Sequence, residues 1–458
     1  MSTKQEKTNL NFDDTIVAIA TANGVGSICI VRLSGTKALE IALQISKKTS
    51  LIPRYATLSY LYDTNSELID EALLLYFKAP FSFTGEDLIE FQCHGGIAIS
   101  NMVLDSALGY GARMANAGEF SKRAFLNNKM DLSKAEAISK IIEAKSSDSV
   151  KLLARQLKGE LKDFVEDIRE DLLFMLAYTE VTIDYAEEDL PSDIFSKIEE
   201  KIAKIVEKLE NTLEASKRRE GMIEGFKVAI VGKPNVGKSS LLNKLLNYER
   251  AIISDIAGTT RDTIEENIKI GTHIIKIVDT AGIRENTTDV IEQIGIEKSI
   301  NAIEEADIIV ALFDNSKTID SEDRKILELL ENIKNKDKYI IKVLNKCDLE
   351  NLFSKDILGN FVELSAKDSI NLLLQKIEKI LDLNTSGDEL TLVSKRQVLS
   401  VKDTLENIKQ AKQPLYNGEL EFFAYFINEA LFNISQITRP YENDEMLDVM
   451  FGEFCLGK

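Results

Sequence analysis

The sequence predicts a multidomain α/β plus α protein: an N-terminal α+β region, then a helical bundle into which a P-loop α/β domain is inserted. Three observations predict it. Residues 226–384 alternate apolar runs with helical spacing, as a parallel-type sheet flanked by helices does. On both sides of that block, apolar residues recur at helical steps. They run first through Val150, Leu153, Leu157, Leu161, Phe164, Ile168, Leu172 and Met175, and later through Val398, Val401, Leu405 and Ile408. Finally, residues 232–239 fit G-x-x-x-x-G-K-[ST], the pattern of a loop that wraps phosphates.

Composition narrows the class. A chain of 458 residues suggests about two to four domains. Hydrophobic content of 44% with 29% charged residues is that of an ordinary soluble globular protein. The net charge of -19 is unusual, and a surface this acidic repels phosphate backbones. Action on a nucleic acid therefore needs a partner or a local basic patch. The cysteines Cys29, Cys93, Cys347 and Cys455 lie far apart, form no zinc or disulfide pattern, and point to a reducing compartment. The polar, partly acidic N-terminus is unlike a signal peptide, and no apolar run is long enough to span a bilayer. The expectation is a cytoplasmic protein with no membrane association.

In chain order, domain boundaries are expected at 1–127, 128–224, 225–384 and 385–458. In the first segment, 15–20, 27–33, 72–77 and 88–94 read as strands. Asn23-Gly24-Val25-Gly26 reads as a hairpin turn rather than a second phosphate loop. The 150–175 stripe predicts one long helix. A second stripe, Ile198, Ile202, Ile205, Leu209 and Leu213, follows the break at Pro191. These stripes are bundle core, or else a dimer interface. Glu187, Glu188 and Asp189 are a solvated face with no catalytic role. In the inserted domain, 226–231, 274–278, 308–313, 339–344 and 361–364 read as strands, and a last helical stripe runs through 422–432.

The phosphate loop, Gly232-Lys233-Pro234-Asn235-Val236-Gly237-Lys238-Ser239-Ser240, sits between a buried strand and a helix. Its glycines let backbone N–H groups close on the phosphates, and the helix N-terminus adds partial positive charge. Lys238 reaches the outer phosphates, and Ser239 is a magnesium ligand candidate. Gly258-Thr259-Thr260-Arg261-Asp262 offers a hydroxyl to the same metal. Asp279-Thr280-Ala281-Gly282 brings a carboxylate to the metal's outer shell and an N–H to the γ-phosphate. Asn345-Lys346-Cys347-Asp348 supplies a carboxylate for the two N–H donors of guanine, which adenine lacks, and Ser365-Ala366-Lys367 closes the base pocket. Each motif alone is weak, but the set in this order predicts guanine-nucleotide binding.

One position departs from a Ras-type enzyme. Where such enzymes place a water-orienting glutamine, this chain has Ile283. Arg284 is an arginine-finger candidate by position, or a partner contact. Asn235 either helps to hold a monovalent cation beside the phosphates or merely braces the loop.

With these residues in view, the chain closely resembles the MnmE (TrmE) family of tRNA-modification GTPases over nearly its whole length. The matching stretches are Val31-Arg32-Leu33-Ser34-Gly35, Phe83-Thr84-Gly85-Glu86-Asp87, His94-Gly95-Gly96, Gly118-Glu119-Phe120-Ser121 and Arg123-Ala124-Phe125-Leu126-Asn127. Further matches are Asp255-Ile256-Ala257-Gly258-Thr259-Thr260-Arg261-Asp262 and Ile294-Gly295-Ile296-Glu297. The chain ends Phe454-Cys455-Leu456-Gly457-Lys458, like the family's terminal C-x-G-K signature, with Leu456 where isoleucine is usual.

The resemblance implies an N-terminal folate-binding and dimerisation domain, a helical domain, and a Ras-like G domain inserted in the helical one. It implies a potassium-stimulated GTPase. Asn235, Ser254, Ile256 and Thr259 would surround potassium, Ser254 standing where threonine is common. Ser239 and Thr260 would serve magnesium. Asp255, Ala257 and Ser240 would complete the nucleotide contacts. Glu292 would position the attacking water, or is an ordinary solvated helix residue. For folate (5,10-methylene- or 5-formyl-tetrahydrofolate), the matches are Arg32, Glu90, Lys129 and Lys458. Cations suit the glutamyl carboxylates, and a carboxylate suits the pterin N–H edge. Cys455 is either a nucleophile toward the uracil ring or a buried thiol.

The reading is a homodimeric GTPase that works with an MnmG-type flavoprotein carrying FAD and using NADH, in a heterotetramer or larger complex. Together they install an aminomethyl or carboxymethylaminomethyl group on carbon 5 of the wobble uridine of certain tRNAs. The rivals are a ribosome-assembly or translation GTPase switch, which the terminal cysteine motif opposes, and a folate-binding scaffold with an inactive G domain. Intact Lys238, Ser239, Thr260 and Asp279 oppose the second.

Overall fold

The computed structural model describes residues 14–22, 24–184, 194–248, 267–278, 303–333, 338–385, 387, 389–439, 451–452, 454 and 457. The chain forms two compact units. One comprises Met1–Ser139 with Ser435–Lys458, and the other Lys140–Ile434.

The first unit is α+β. Strands β1 (Ile16–Ile19), β2 (Ile28–Ser34), β3 (Thr57–Tyr62), β4 (Leu68–Phe77), β5 (Leu88–His94) and β6 (Arg113–Met114) form a sheet in the order β3-β4-β5-β2-β1-β6. Its pairs are antiparallel except β1 with β6. Strand alternation sends Ile89, Phe91 and Cys93 of β5 and Val31 and Leu33 of β2 to one face. There they meet Ile41 and Ile45 of α1 (Ala38–Ser46) and Val103 of α2 (Ile97–Gly109). Glu90 and Arg32 fall on the opposite face, directly across from one another. Helix α3 (Glu119–Leu126) and the start of α4 (Leu132–Glu143) follow. The C-terminal segment returns to this unit, where Phe451, 1% exposed, packs on Leu132, Ala135, Phe125 and Phe454.

The strands expected at 15–20, 27–33 and 88–94 are β1, β2 and β5, and 72–77 is the end of the longer β4. Strand β3 was not expected. It exposes Leu58 and Tyr60 and buries Ser59 beside Leu61, so apolar residues stand on both faces and the alternation that advertises a core strand is lost. Asp63 Oδ1 builds the β3–β4 turn by accepting from the N–H groups of Asn65 (2.9 Å) and Glu67 (2.7 Å).

The second unit carries helices α5 (Ser147–Leu157), α6 (Glu160–Asp184) and α7 (Ile194–Glu224), then the α/β fold. That fold runs β7 (Phe226–Val231), α8 (Lys238–Tyr248), β8 (Asn267–Ile270), β9 (His273–Val278), β10 (Ile308–Asp314), α9 (Ser321–Ile333), β11 (Tyr339–Asn345), β12 (Phe361–Glu363) and α10 (Asn371–Thr385). Helices α11 (Lys395–Asn417) and α12 (Leu420–Ser435) follow. The sheet order is β12-β11-β10-β7-β9-β8. All pairs are parallel except β8, an antiparallel edge strand that the sequence did not advertise. Every residue of β10 is buried, as in a sheet covered on both faces. Val228, Ile230, Val310 and Val343 pack with Leu241 of α8 and Leu373 and Ile377 of α10. Ala229, Ile309, Ala311 and Phe313 pack on the other face, with Leu330 of α9.

The expected single helix over 150–175 is corrected to two, α5 and α6. Gly159 breaks it with a left-handed φ of +100°, and Val150 is exposed rather than buried. In α7 the apolar stripe holds from Ile198 to Leu209. The buried row then continues through Thr212, Ala215, Ser216 and Arg219, with Leu213 only half-buried. Arg219 donates to the carbonyl of Glu389 (2.6 Å) and to Thr391 Oγ1 (2.9 Å), and Leu392 N donates to Ser216 Oγ (2.8 Å). These bonds tie α7 to the segment that returns from the sheet.

Candidate functional site

Strands β7, β10, β11 and β12 run parallel, so their C-terminal ends open on one edge, where α/β sheets bind ligands. The phosphate loop leaves β7 there and turns into α8. Val236 is fully buried beneath it, whereas Asn235, Ser239 and Ser240 are exposed. Gly237 is required by its surroundings, since a Cβ at that point would lie 2.2 Å from Asn345 Nδ2, with φ at +106°.

The guanine-motif residues brace this loop. Asn345 Nδ2 donates to the carbonyl of Val236 (2.8 Å), and its Oδ1 accepts from Ala366 N (3.0 Å). One amide thus clips the phosphate loop to the Ser365-Ala366 turn. Lys346, at φ +65°, donates to the carbonyl of Asn235 (2.8 Å) and to Asp314 Oδ2 (2.7 Å). Burial opposes ionisation of Asp314, yet the bonds from Lys346 and Ser316 win and hold its carboxyl below the usual range. Asp348 stays exposed, open to a base. The Ser365 hydroxyl is buried without a protein partner. Lys367 is exposed, and its carbonyl accepts from Lys244 (3.2 Å).

Lys238 folds back on its own loop, donating to the carbonyls of Gly232 (2.6 Å) and Lys233 (3.0 Å). Burial pulls its pKa down. A phosphate would replace two neutral acceptors with an anion, and so bind the ammonium better.

The first unit gathers a second set. Arg32 donates from Nε (3.1 Å) and Nη2 (2.8 Å) to Glu90 Oε1, and from Nη1 to the carbonyl of Gly457 (3.4 Å). Its guanidinium lies 5.6 Å from the Phe83 ring centre and 5.8 Å from that of Phe120. Lys129 is exposed, its chain running past Gly85. Beneath them is a network that sequence reasoning missed as a constellation. Buried Arg123 donates to Asp14 Oδ1 (2.7 Å), to Glu86 Oε1 (3.1 Å) and to Glu119 Oε1 (3.0 Å). Ser34 Oγ meets Thr84 Oγ1 (2.7 Å) and Glu86 Oε2 (2.9 Å), and Asn127 Nδ2 donates to the carbonyl of Thr84 (2.7 Å). Each of these residues except Asp14 belongs to a stretch already singled out, which was the available signal.

Ser254, Asp255, Ile256, Ala257, Gly258, Thr259, Thr260, Asp279, Thr280, Ala281, Gly282, Glu292, Cys455 and Lys458 lie outside the described residues, as do Ile283 and Arg284. Among the described residues, no helix is long and apolar enough to cross a membrane.

Comparison with known proteins matches both parts of the chain to one family. A family described as the MnmE helical domain matches residues 132–455, and one described as the GTP-binding protein TrmE N-terminus matches residues 15–129. The chain is 73% identical to the tRNA modification GTPase MnmE of Aliarcobacter butzleri, over 97% of this chain and 99% of that one. It is 58% identical to the protein of the same name from Sulfurimonas denitrificans, over 97% of this chain and 100% of that one. With the namesake from Campylobacter jejuni (serotype O:2), identity is 52%, over 98% of this chain and 100% of that one.

Proposed function

The chain belongs to the tRNA modification GTPase MnmE family, a GTP hydrolase acting in tRNA modification, and on that premise we propose how its residues divide the work. The G domain is a potassium-activated GTPase. Lys238 and the loop amides from Asn235 to Ser240 bind the phosphates, and Asp348 with Asn345, Lys346 and the 365–367 turn selects guanine. Ser239, an exposed hydroxyl on the first turn of α8, is the right kind of ligand for magnesium, with Thr260 as its companion. Asn235, Ser254, Ile256 and Thr259 hold potassium, which supplies the positive charge that an arginine finger gives elsewhere. Ser254, Asp255, Ala257 and Gly258, with 279–282, line the remaining nucleotide surface. Glu292 orients the attacking water.

In the N-terminal unit, Arg32, Glu90, Lys129 and Lys458 bind a methylene- or formyl-tetrahydrofolate, the one-carbon source. Cys455 is the candidate nucleophile toward the uracil ring. The chain acts as a homodimer in the cytoplasm with an MnmG-type flavoprotein using FAD and NADH, on the wobble uridine of certain tRNAs. The observation that best supports this reading is the bond from Arg32 to the carbonyl of Gly457. It brings Gly457, one residue of the terminal C-x-G-K signature, to the Arg32–Glu90 pair. A free-standing nucleotide switch needs neither.

Two measurements test the reading. GTP turnover is expected to be at least tenfold faster in potassium than in sodium at equal ionic strength, a tenfold change being about 1.4 kcal/mol of barrier. Equal rates exclude the cation mechanism. Nucleoside analysis of tRNA from cells lacking the protein is expected to show unmodified wobble uridine, and normal modification excludes the tRNA role.

A further inference from the structure

The phosphate loop holds two lysines with opposite surroundings. Lys238 crosses the loop to its carbonyls, whereas Lys233 points out of the loop and donates to Asp320 Oδ2 (2.7 Å) and Asp323 Oδ2 (2.6 Å). Lys233 is 8% exposed, and the Asp323 side chain is fully buried. The two aspartates also cap α9. Asp320 Oδ1 accepts from the N–H groups of Glu322 and Asp323 (3.0 Å each), and Asp323 Oδ2 accepts from Asp320 N (3.2 Å). This is a reciprocal cap of the capping-box kind. Lys233 therefore anchors the loop to the N-terminus of a helix that is itself packed on the sheet through Leu330.

Three features make the anchor more than a surface ion pair. The cation is cancelled by two carboxylates, so it offers little charge to a phosphate. Asp323 Oδ1 is buried with no partner, a costly arrangement that a purely structural helix cap does not need. And the loop is gripped on its other flank as well, where Lys346 holds the carbonyl of Asn235. Between the two grips lie exposed Pro234 and Asn235, the latter in a left-handed conformation at φ +61°. Asparagine tolerates this conformation better than most residues, and the two grips fix the backbone on either side of it.

We propose that Lys233 is a positioning residue for GTP hydrolysis, holding Asn235 through Asp320 and Asp323 in the backbone geometry the transition state requires. The proposal rests on the GTP hydrolase activity and not on the proposed potassium ion. The ammonium of Lys233 is taken up by Asp320 and Asp323, while Lys238 is the lysine that folds over the loop. Loss of the anchor therefore leaves ground-state binding by Lys238 and the loop amides largely in place, and misplaces the groups that act on developing charge.

The test compares the full-length protein with Lys233→Met, Asp323→Asn, the double variant and Lys233→Arg, measuring steady-state GTP hydrolysis, GDP affinity and thermal unfolding. Lys233→Met and Asp323→Asn are each expected to lower kcat about tenfold while KM and the GDP Kd stay within about twofold, since misplacement costs rate before it costs binding. The double variant is expected to be no slower than either single one, because both break one anchor. Lys233→Arg is expected to keep most of the rate. Should Lys233→Met fail to fold, Asp323→Asn, which keeps the shape of the carboxylate, decides the matter. A normal kcat in Asp323→Asn, additive losses in the double variant, or losses confined to KM and GDP affinity would overturn the proposal.

Discussion

At the scale of single residues, the two sites differ in how much of them the sequence reveals. Asn345, Lys346, Ser365 and Ala366 were readable because each belongs to a short motif whose chemistry is local. What those motifs brace was not, because Lys233 and Asp323 are 90 positions apart. Arg123 is the sharper case. Its bond to Asp14 spans 109 positions, and no spacing rule joins them. It is fully buried, and removing one partner of such a cluster leaves buried charge uncompensated. Arg123→Met is expected to destabilise the first unit by about 3–5 kcal/mol in denaturant titrations. The pH dependence follows. Burial alone would raise the pKa of Glu119, but the bonds from Arg113 and Arg123 outweigh it and lower it, and Asp14 is lowered in the same way. Depressed folded values mean that this stabilisation is complete above the unfolded carboxylate range. It is lost as pH falls through the folded values, that is, below about pH 4. The wild type should lose stability over that acid window, and Arg123→Met less so, the bonds from Arg113 to both carboxylates being left in place. A variant whose acid limb matches the wild type would refute the assignment.

At the scale of elements, periodicity located the helices but not their breaks. The steps from Val150 to Met175 read as one continuous stripe, yet the helix stops at Leu157, with Lys158 as its C-cap, and a new one starts at Glu160. The stripe survives because α6 resumes with its own apolar face inward, burying Leu161, Val165, Ile168 and Leu172. The only local sign was Gly159. A Cβ there would meet nothing within 4 Å, so the glycine answers to backbone conformation and not to crowding. Gly159→Ala is therefore expected to cost roughly 1–2 kcal/mol, the penalty of a left-handed alanine, with no change in packing. Chemical denaturation measures the cost and circular dichroism the helix content. A variant as stable as the wild type, or more helical, would mean that α5 and α6 can fuse. The unexpected β3 and β8 make a related point. Both are edge strands, and edge strands carry the weakest core signature because only part of each faces apolar neighbours.

At the scale of the whole molecule, the tail of the chain is part of the first unit, and the sequence disclosed this only in chemical terms. The terminal C-x-G-K stretch reads as a reactive signature. Nothing in its composition says that Phe451 fills a cluster built from Phe125, Leu132 and Ala135, because a contact over such a separation leaves no local pattern. The ring of Phe451 lies 6.2 Å from that of Phe125 and 5.2 Å from that of Phe454, centre to centre. The same segment carries the Gly457 carbonyl that Arg32 donates to. Packing of Phe451 is thus what brings the end of the chain to the Arg32–Glu90 pair, and the two effects must fall together. Phe451→Ala is expected to cost roughly 3–5 kcal/mol, the usual range for emptying a buried phenylalanine site. Hydrogen exchange read strand by strand checks where the cost falls. Protection of β1, β2 and β5 in the first unit should drop, while β7 and β10 in the second keep theirs, along with GDP affinity. Folate affinity should fall with the first set, since its candidate ligands sit there. Uniform loss across both units, or a variant that binds folate normally, would show that the tail does not serve this purpose.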